Sequence, residues 1–176
     1  RLKVSYQLRQ LLSTAEIQNT VKRLANDISR AAESNPPPIL IGILNASFIF
    51  MADLVREITI PIQIDFVRAK SYNIMTQQGQ VKLDHITPVV YQQHVIVVDT
   101  IVDTGNTVSA VIQQLLRTGP TSLKVCALLH KPARMSEFLV QVDYLGITIP
   151  DKFVVGYGLD LDGKYRNLPD IYYVEG

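Results

Sequence analysis

The residues with the most chemical content lie between Val95 and Thr107, VIVVDTIVDTGNT. A buried-type apolar run ends in Asp99, Ile101 and Val102 separate Thr100 from Asp103, and Thr104-Gly105-Asn106-Thr107 leads into a helix. Small hydroxylated residues around a glycine at a helix N-terminus make an anion cradle. The first N–H groups of a helix lack intrahelical partners, and glycine takes up backbone angles that other residues resist. The hydroxyls of Thr104 and Thr107 can add donors to a phosphate. Carboxylates repel phosphate, so Asp99 and Asp103 need another purpose: sugar hydroxyls, a metal ion or a proton. A ribose 5-phosphate suits the whole segment, with phosphate for the turn and a diol for the acids. Either aspartate alone would read as a charge favouring the helix dipole.

Other motifs fail. There is no GxGxxG, GxSxG or HExxH pattern, and His85, His94 and His130 show no ligand spacing. Gly158 to Tyr165, GLDLDGKY, has the glycine and lysine spacing of a P-loop. However, Tyr165 stands where a Ser or Thr is required to meet magnesium, and Asp160 and Asp162 would sit among the phosphates.

The elements that position these residues follow from hydrophobic spacing. Ser13 and Glu16 form a capping-box pair, with Ile17, Val21, Leu24, Ile28 and Ala32 at helical spacing behind them. Asn35-Pro36-Pro37-Pro38 is a stiff connection to Ile39–Leu44, a buried strand. Residues 48–58 read as a helix and 62–66 as a second strand. The polar stretch 71–83 reads as a mobile loop or loose hairpin. Residues 95–98 form a third strand, 107–117 a helix stopped by Gly119-Pro120, and 124–129 a fourth strand. Further short strands are expected near Tyr144 and Phe153. Apolar strands alternating with helices predict an α/β fold, a mostly parallel sheet with helices on both faces. Ligands in such sheets bind beyond the carboxyl ends of the strands.

The chain has 176 residues, which suits a single domain over 1–176 with a sizeable core. Lys plus Arg is 17 and Asp plus Glu is 16, so no nucleic-acid or membrane partner is indicated. No apolar run approaches a transmembrane length, and the N-terminal residues do not form a signal-peptide pattern. Cys126 is the single cysteine, which excludes a disulfide scaffold and makes a reducing cytoplasm the expected compartment.

Residues 95–107 resemble the phosphoribosyl-pyrophosphate (PRPP) motif of type I phosphoribosyltransferases. Ser47–Leu54 (SFIFMADL), Ser71-Tyr72, Leu128–Pro132 (LLHKP), Asp151–Asp160 (DKFVVGYGLD) and Tyr165–Pro169 (YRNLP) are similar to the hypoxanthine(-guanine) branch of that family. The resemblance runs in order along nearly the whole chain. It implies the type I phosphoribosyltransferase fold, a Rossmann-like sheet with a small hood subdomain. It also implies conversion of hypoxanthine or guanine plus PRPP to the nucleoside monophosphate plus pyrophosphate, with Mg2+, by a homodimer or homotetramer.

By position, the resemblance makes Asp103 the general base at purine N7. Asp99 and Thr100 meet the ribose hydroxyls, and Thr104, Gly105, Asn106 and Thr107 hold the 5′-phosphate. Lys131 faces purine O6, Phe153 stacks on the ring and Val154 bonds its edge. Asn45, Ala46, Ser47 and Arg166 face pyrophosphate, with Arg134 in support. Asp160, with Asp99, holds the metal, and Ser71 and Tyr72 belong to a closing loop. From the residues alone, Phe153 would read as core packing, Asp160 and Arg166 as a surface ion pair, and Cys126 as inert and buried.

Two departures stand out. The family usually has Glu-Asp where this chain has Asp99-Thr100, and Leu-(Lys/Arg)-Gly-Ser where it has Leu44-Asn45-Ala46-Ser47. The first replaces a charged grip on the diol by a neutral hydroxyl. The second removes a cation facing pyrophosphate, in a loop where the family carries a non-proline cis peptide, here Leu44-Asn45. These changes motivate an alternative, a weakened phosphoribosyltransferase fold that binds purine nucleotide as a sensor or regulator. Retention of Asp103 argues against it, since a pure binder needs no base.

Overall fold

The computed structural model describes residues 7–32, 36–71, 81–83, 90–132 and 140–175. In chain order the elements are β1 (Gln7–Leu12), α1 (Thr14–Ala31), β2 (Ile39–Leu44), α2 (Phe48–Glu57), β3 (Gln63–Ser71) and β4 (Val81–Leu83). Then come β5 (His94–Val102), α3 (Asn106–Leu116), β6 (Ser122–His130), β7 (Tyr144–Thr148), β8 (Val154–Val155) and β9 (Ile171–Glu175).

The main sheet runs β4-β3-β2-β5-β6-β7. Its five strands β3, β2, β5, β6 and β7 are parallel, and β4 pairs antiparallel with the end of β3. The capping box that opens α1 forms as its sequence requires: the Ser13 hydroxyl accepts from the Glu16 N–H, and the Glu16 carboxylate accepts the Ser13 N–H at 2.8 Å. The apolar stripe of α1 then lies buried with Phe50, Met51 and Leu54 of α2 against one face of the sheet. Val108, Val111 and Leu115 of α3 join the core on the other face. Covered on both sides, β2 and the middle of β5 are buried almost throughout, which is why they read as unbroken apolar runs.

The structure moves several boundaries. β5 does not end at Asp99 but stays paired with β6 as far as Val102, opposite His130. The polar turn therefore begins at Asp103, with both acids on or just beyond one strand. β3 is longer than its apolar stretch, because Ala69, Lys70 and Ser71 pair with β4 in a hairpin. β1 and β9 carry no buried run and were not expected. With β8 they make a separate antiparallel sheet, β1-β9-β8, which is the hood. Asp170 fastens this hood to the N-terminus of α1, accepting from the Thr14 N–H and hydroxyl and from Gln10. Tyr72 and Arg134 lie outside the described residues.

Candidate active site

Three segments meet beyond the carboxyl ends of β2 and β5: the loop after β2, the turn after β5, and the chain from Gly156 to Arg166. They enclose a cleft lined by Asn45, Ala46, Asp99, Asp103, Thr104, Gly105, Thr107, Asp160 and Arg166. Nine of the residues singled out in the sequence thus share one cavity, where the parallel-sheet rule places a ligand.

The turn has the geometry of an anion site. Gly105 sits at the N-cap of α3 with φ of 84°, and no side chain caps the helix. A residue with a Cβ would be strained there, and because Gly105 brings no side chain to cap the helix, the N–H groups beyond Asn106 stay available to an anion. The Thr104 hydroxyl accepts from the Asn106 N–H at 3.4 Å, holding the turn closed. Thr107 lines the cleft, whereas Asn106 is exposed at the head of the helix.

Asp99 is 6% exposed. Burial pushes its carboxyl up to about 7, against the opposing effect of the Thr100 and Ile101 N–H groups it accepts. Asp103 is more open, and its Oδ2 lies 3.4 Å from the Nζ of Lys131. Lys131 is 3% exposed, and a buried ammonium needs such a partner. The backbone sets the pair, since the Lys131 N–H donates to the Val102 carbonyl at 3.1 Å.

On the opposite wall Asp160 and Arg166 form an ion pair at 2.9 Å. Arg166 also donates to the Gly158 carbonyl at 2.6 Å, and the Gly163 N–H donates to Asp160 at 2.8 Å. This pair is part of a folded wall, not a loose surface contact. Leu44-Asn45 is a cis peptide, as the resemblance implies, with alanine rather than glycine two residues on.

Beyond the cleft lining, Ser47, Thr100 and Val154 are buried and Phe153 is exposed. Ser47 is fully buried, its hydroxyl against Gly42 with no hydrogen-bond partner among the described residues. Thr100 is also fully buried, and its hydroxyl donates to the Ala46 carbonyl at 2.9 Å. Phe153 is 53% exposed, so it is not a core residue, while Val154 is buried in β8. Ser71 ends β3. Cys126 is buried in β6, and burial raises its thiol, in keeping with an inert residue. His94 bonds Ser122 at 2.7 Å, between the starts of β5 and β6.

Two supports escaped sequence reasoning. Gly158 has φ of 97°, and a Cβ placed there would lie 2.1 Å from the Ala46 carbonyl oxygen. The Tyr157 hydroxyl donates to Asp53 of α2 at 2.5 Å, and Asp53 also takes Gln18 and pairs with Arg56. The two glycines flanking Tyr157 in the GYG run are the available signal for a tight approach; nothing in the sequence pairs Tyr157 with Asp53.

The cleft thus combines a helix N-terminal turn suited to an anion, a half-exposed acid beside a buried lysine, and an acid–arginine wall. Residues 7–162 match the model of the phosphoribosyl transferase domain family. The chain is 41% identical to the hypoxanthine phosphoribosyltransferase of Salmonella typhimurium over 90% of both chains. It is 36% identical to the hypoxanthine-guanine phosphoribosyltransferase of Aquifex aeolicus, over 96% of this chain and 95% of that one. A crystal structure of a Bacillus anthracis hypoxanthine-guanine phosphoribosyltransferase superposes with a TM-score of 0.87 at 38% identity, covering 97% of this chain and 100% of the other. The chain belongs to the hypoxanthine phosphoribosyltransferase family of phosphoribosyltransferases.

Proposed function

We propose that this cleft joins hypoxanthine or guanine to the ribosyl group of PRPP, releasing pyrophosphate and the nucleoside monophosphate, in purine salvage. The observation that carries the reading is Asp103, half-exposed between the anion turn of α3 and the buried Lys131. The turn binds the 5′-phosphate and fixes the ribose. Asp103 accepts the proton at purine N7 as the new glycosidic bond forms at N9. Lys131 donates to O6. It selects against a 6-amino purine, because two donors facing each other leave both unsatisfied. Phe153, exposed before β8, offers a face to the ring, with Val154 beside it. Arg166 and the loop at Asn45-Ala46 meet the pyrophosphate.

The acids in the cleft suit Mg2+. This ion takes one or two carboxylates and fills its remaining positions with water and substrate oxygens. Asp160 and Asp99 line the same cavity, and among the described residues no group of three His, Cys, Asp or Glu side chains forms a complete cage. Asp160 and Asp99 would hold the ion, which when bound supplies positive charge to the diol and the departing pyrophosphate. No described helix is long and apolar enough to cross a membrane. A homodimer or homotetramer in a reducing cytoplasm is the state the resemblance and the single cysteine favour.

The test is an ultraviolet assay with PRPP and Mg2+ that offers hypoxanthine, guanine, xanthine and adenine in parallel. Turnover of hypoxanthine or guanine but not adenine is expected. Absence of turnover with IMP still bound would overturn the enzyme and leave a binder.

A further inference from the structure

We propose that Thr100 is a positioning residue for the pyrophosphate loop, acting through the Ala46 carbonyl, and not a ligand of the ribose. The inference rests on the transferase reading above. Its basis is where the side chain sits. Thr100 follows Asp99 on β5, yet Asp99 lines the cleft and Thr100 does not: it is fully buried. Its hydroxyl proton is committed to the Ala46 oxygen at 2.9 Å.

That oxygen is held from a second side. Gly158 packs so closely against it that a Cβ there would lie at 2.1 Å. Gly158 in turn presents its own carbonyl to Arg166, the partner of Asp160. Ala46 therefore sits between the end of β5 and the wall that carries the acid–arginine pair. A packing wall blocks movement in one direction only, whereas a hydrogen bond holds the carbonyl against it.

The loop's composition gives this hold its importance. With Asn45 and Ala46 at its tip, the loop brings no cation to pyrophosphate. It must bind by backbone dipoles and the Asn45 amide, whose contribution depends on orientation more than that of a diffuse charge does. Reading of the diol falls to Asp99.

The experiment separates the two halves of PRPP. IMP carries the ribose diol without pyrophosphate, and inorganic pyrophosphate carries no ribose. Thr100→Val keeps the shape and removes the donor; Thr100→Ser keeps the donor. Expected for Thr100→Val is a rise of about five- to tenfold in KM for PRPP and in Kd for pyrophosphate, the loss of one neutral hydrogen bond. The Kd for IMP should stay within about twofold, and Thr100→Ser should restore wild-type values. Weakening of IMP with pyrophosphate unchanged would show that the hydroxyl reads the ribose, equal weakening of both would show a disturbance of the whole cleft, and no change in either would show that the bond does not position the loop; each overturns the proposal. Should the valine variant not fold, Thr100→Ala carries the same comparison. Wild-type protein that binds neither IMP nor PRPP would instead overturn the transferase reading itself.

Discussion

On the proposed reading Asp103 and Lys131 divide the work at the purine, and their substitutions should separate along that division. Asp103→Asn keeps a hydrogen-bonding group of the same size beside Lys131 but cannot take up a proton. A positioned base contributes about 10²–10⁴-fold, so kcat should fall by that order while the Kd for IMP changes little. Steady-state kinetics beside calorimetric titration of IMP checks both. Lys131→Gln removes the cation, and an amide can turn to donate or to accept. The kcat/KM for hypoxanthine should fall about 10–100-fold, and the preference over adenine should shrink, because the buried donor that rejects the amino group is gone. These two residues were legible in the sequence through short motifs around them. Thr100 and Ser47 were legible only as positions. Whether a hydroxyl at the end of a strand faces the cleft or the core depends on the loop that packs over it, and no local pattern encodes that.

The elements themselves show the same boundary between what is local and what is not. β2 and β5 could be read from their unbroken apolar runs, and α1 from its capping box and its apolar residues at helical spacing. β1 and β9 could not, since each is a half-exposed strand that exists by pairing with the other across most of the chain. The approach of Gly158 to Ala46 is likewise a contact between distant segments. It yields an element-scale prediction. Gly158→Ala places a methyl group at 2.1 Å from a backbone oxygen and at φ of 97°, so either the loop after β2 or the GYG turn must move. The strain alone is about 1–3 kcal/mol, which for a chain of this length lowers Tm by roughly 2–12 °C. Because the displaced loop is the one proposed to face pyrophosphate, KM for PRPP should rise more than KM for hypoxanthine. A Tm loss with both KM values unchanged would mean that the turn yields and the loop does not.

For the molecule as a whole, the acids pull stability in opposite directions with pH. Glu16, bonded by Ser13, and Asp170, bonded by Thr14, are held below their ordinary range. Their contribution is present above about pH 4 and disappears as the pH falls through their folded values. Asp99 works the other way. Its folded value of about 7 lies above the roughly 3.9 of an unfolded chain, so between those limits the native state holds a proton that the unfolded state has lost. The stability it provides is complete below about pH 4 and is gone above about 7. The ligand-free protein should therefore be most stable near pH 5 and lose several degrees of Tm between pH 5 and 8. Asp99→Asn is neutral at every pH and keeps a carbonyl for the Thr100 and Ile101 N–H groups. It should remove most of that slope, raise Tm at pH 8, and weaken PRPP binding because the carboxylate proposed to grip the diol is lost. Thermal melts at pH 5, 6.5 and 8 decide it. Parallel slopes for the two proteins would show that burial of Asp99 is not what couples this fold to protons. A steeper wild-type slope would mean that the cleft holds its acid against the preference of the fold, with stability given up to keep a buried carboxylate in the cleft.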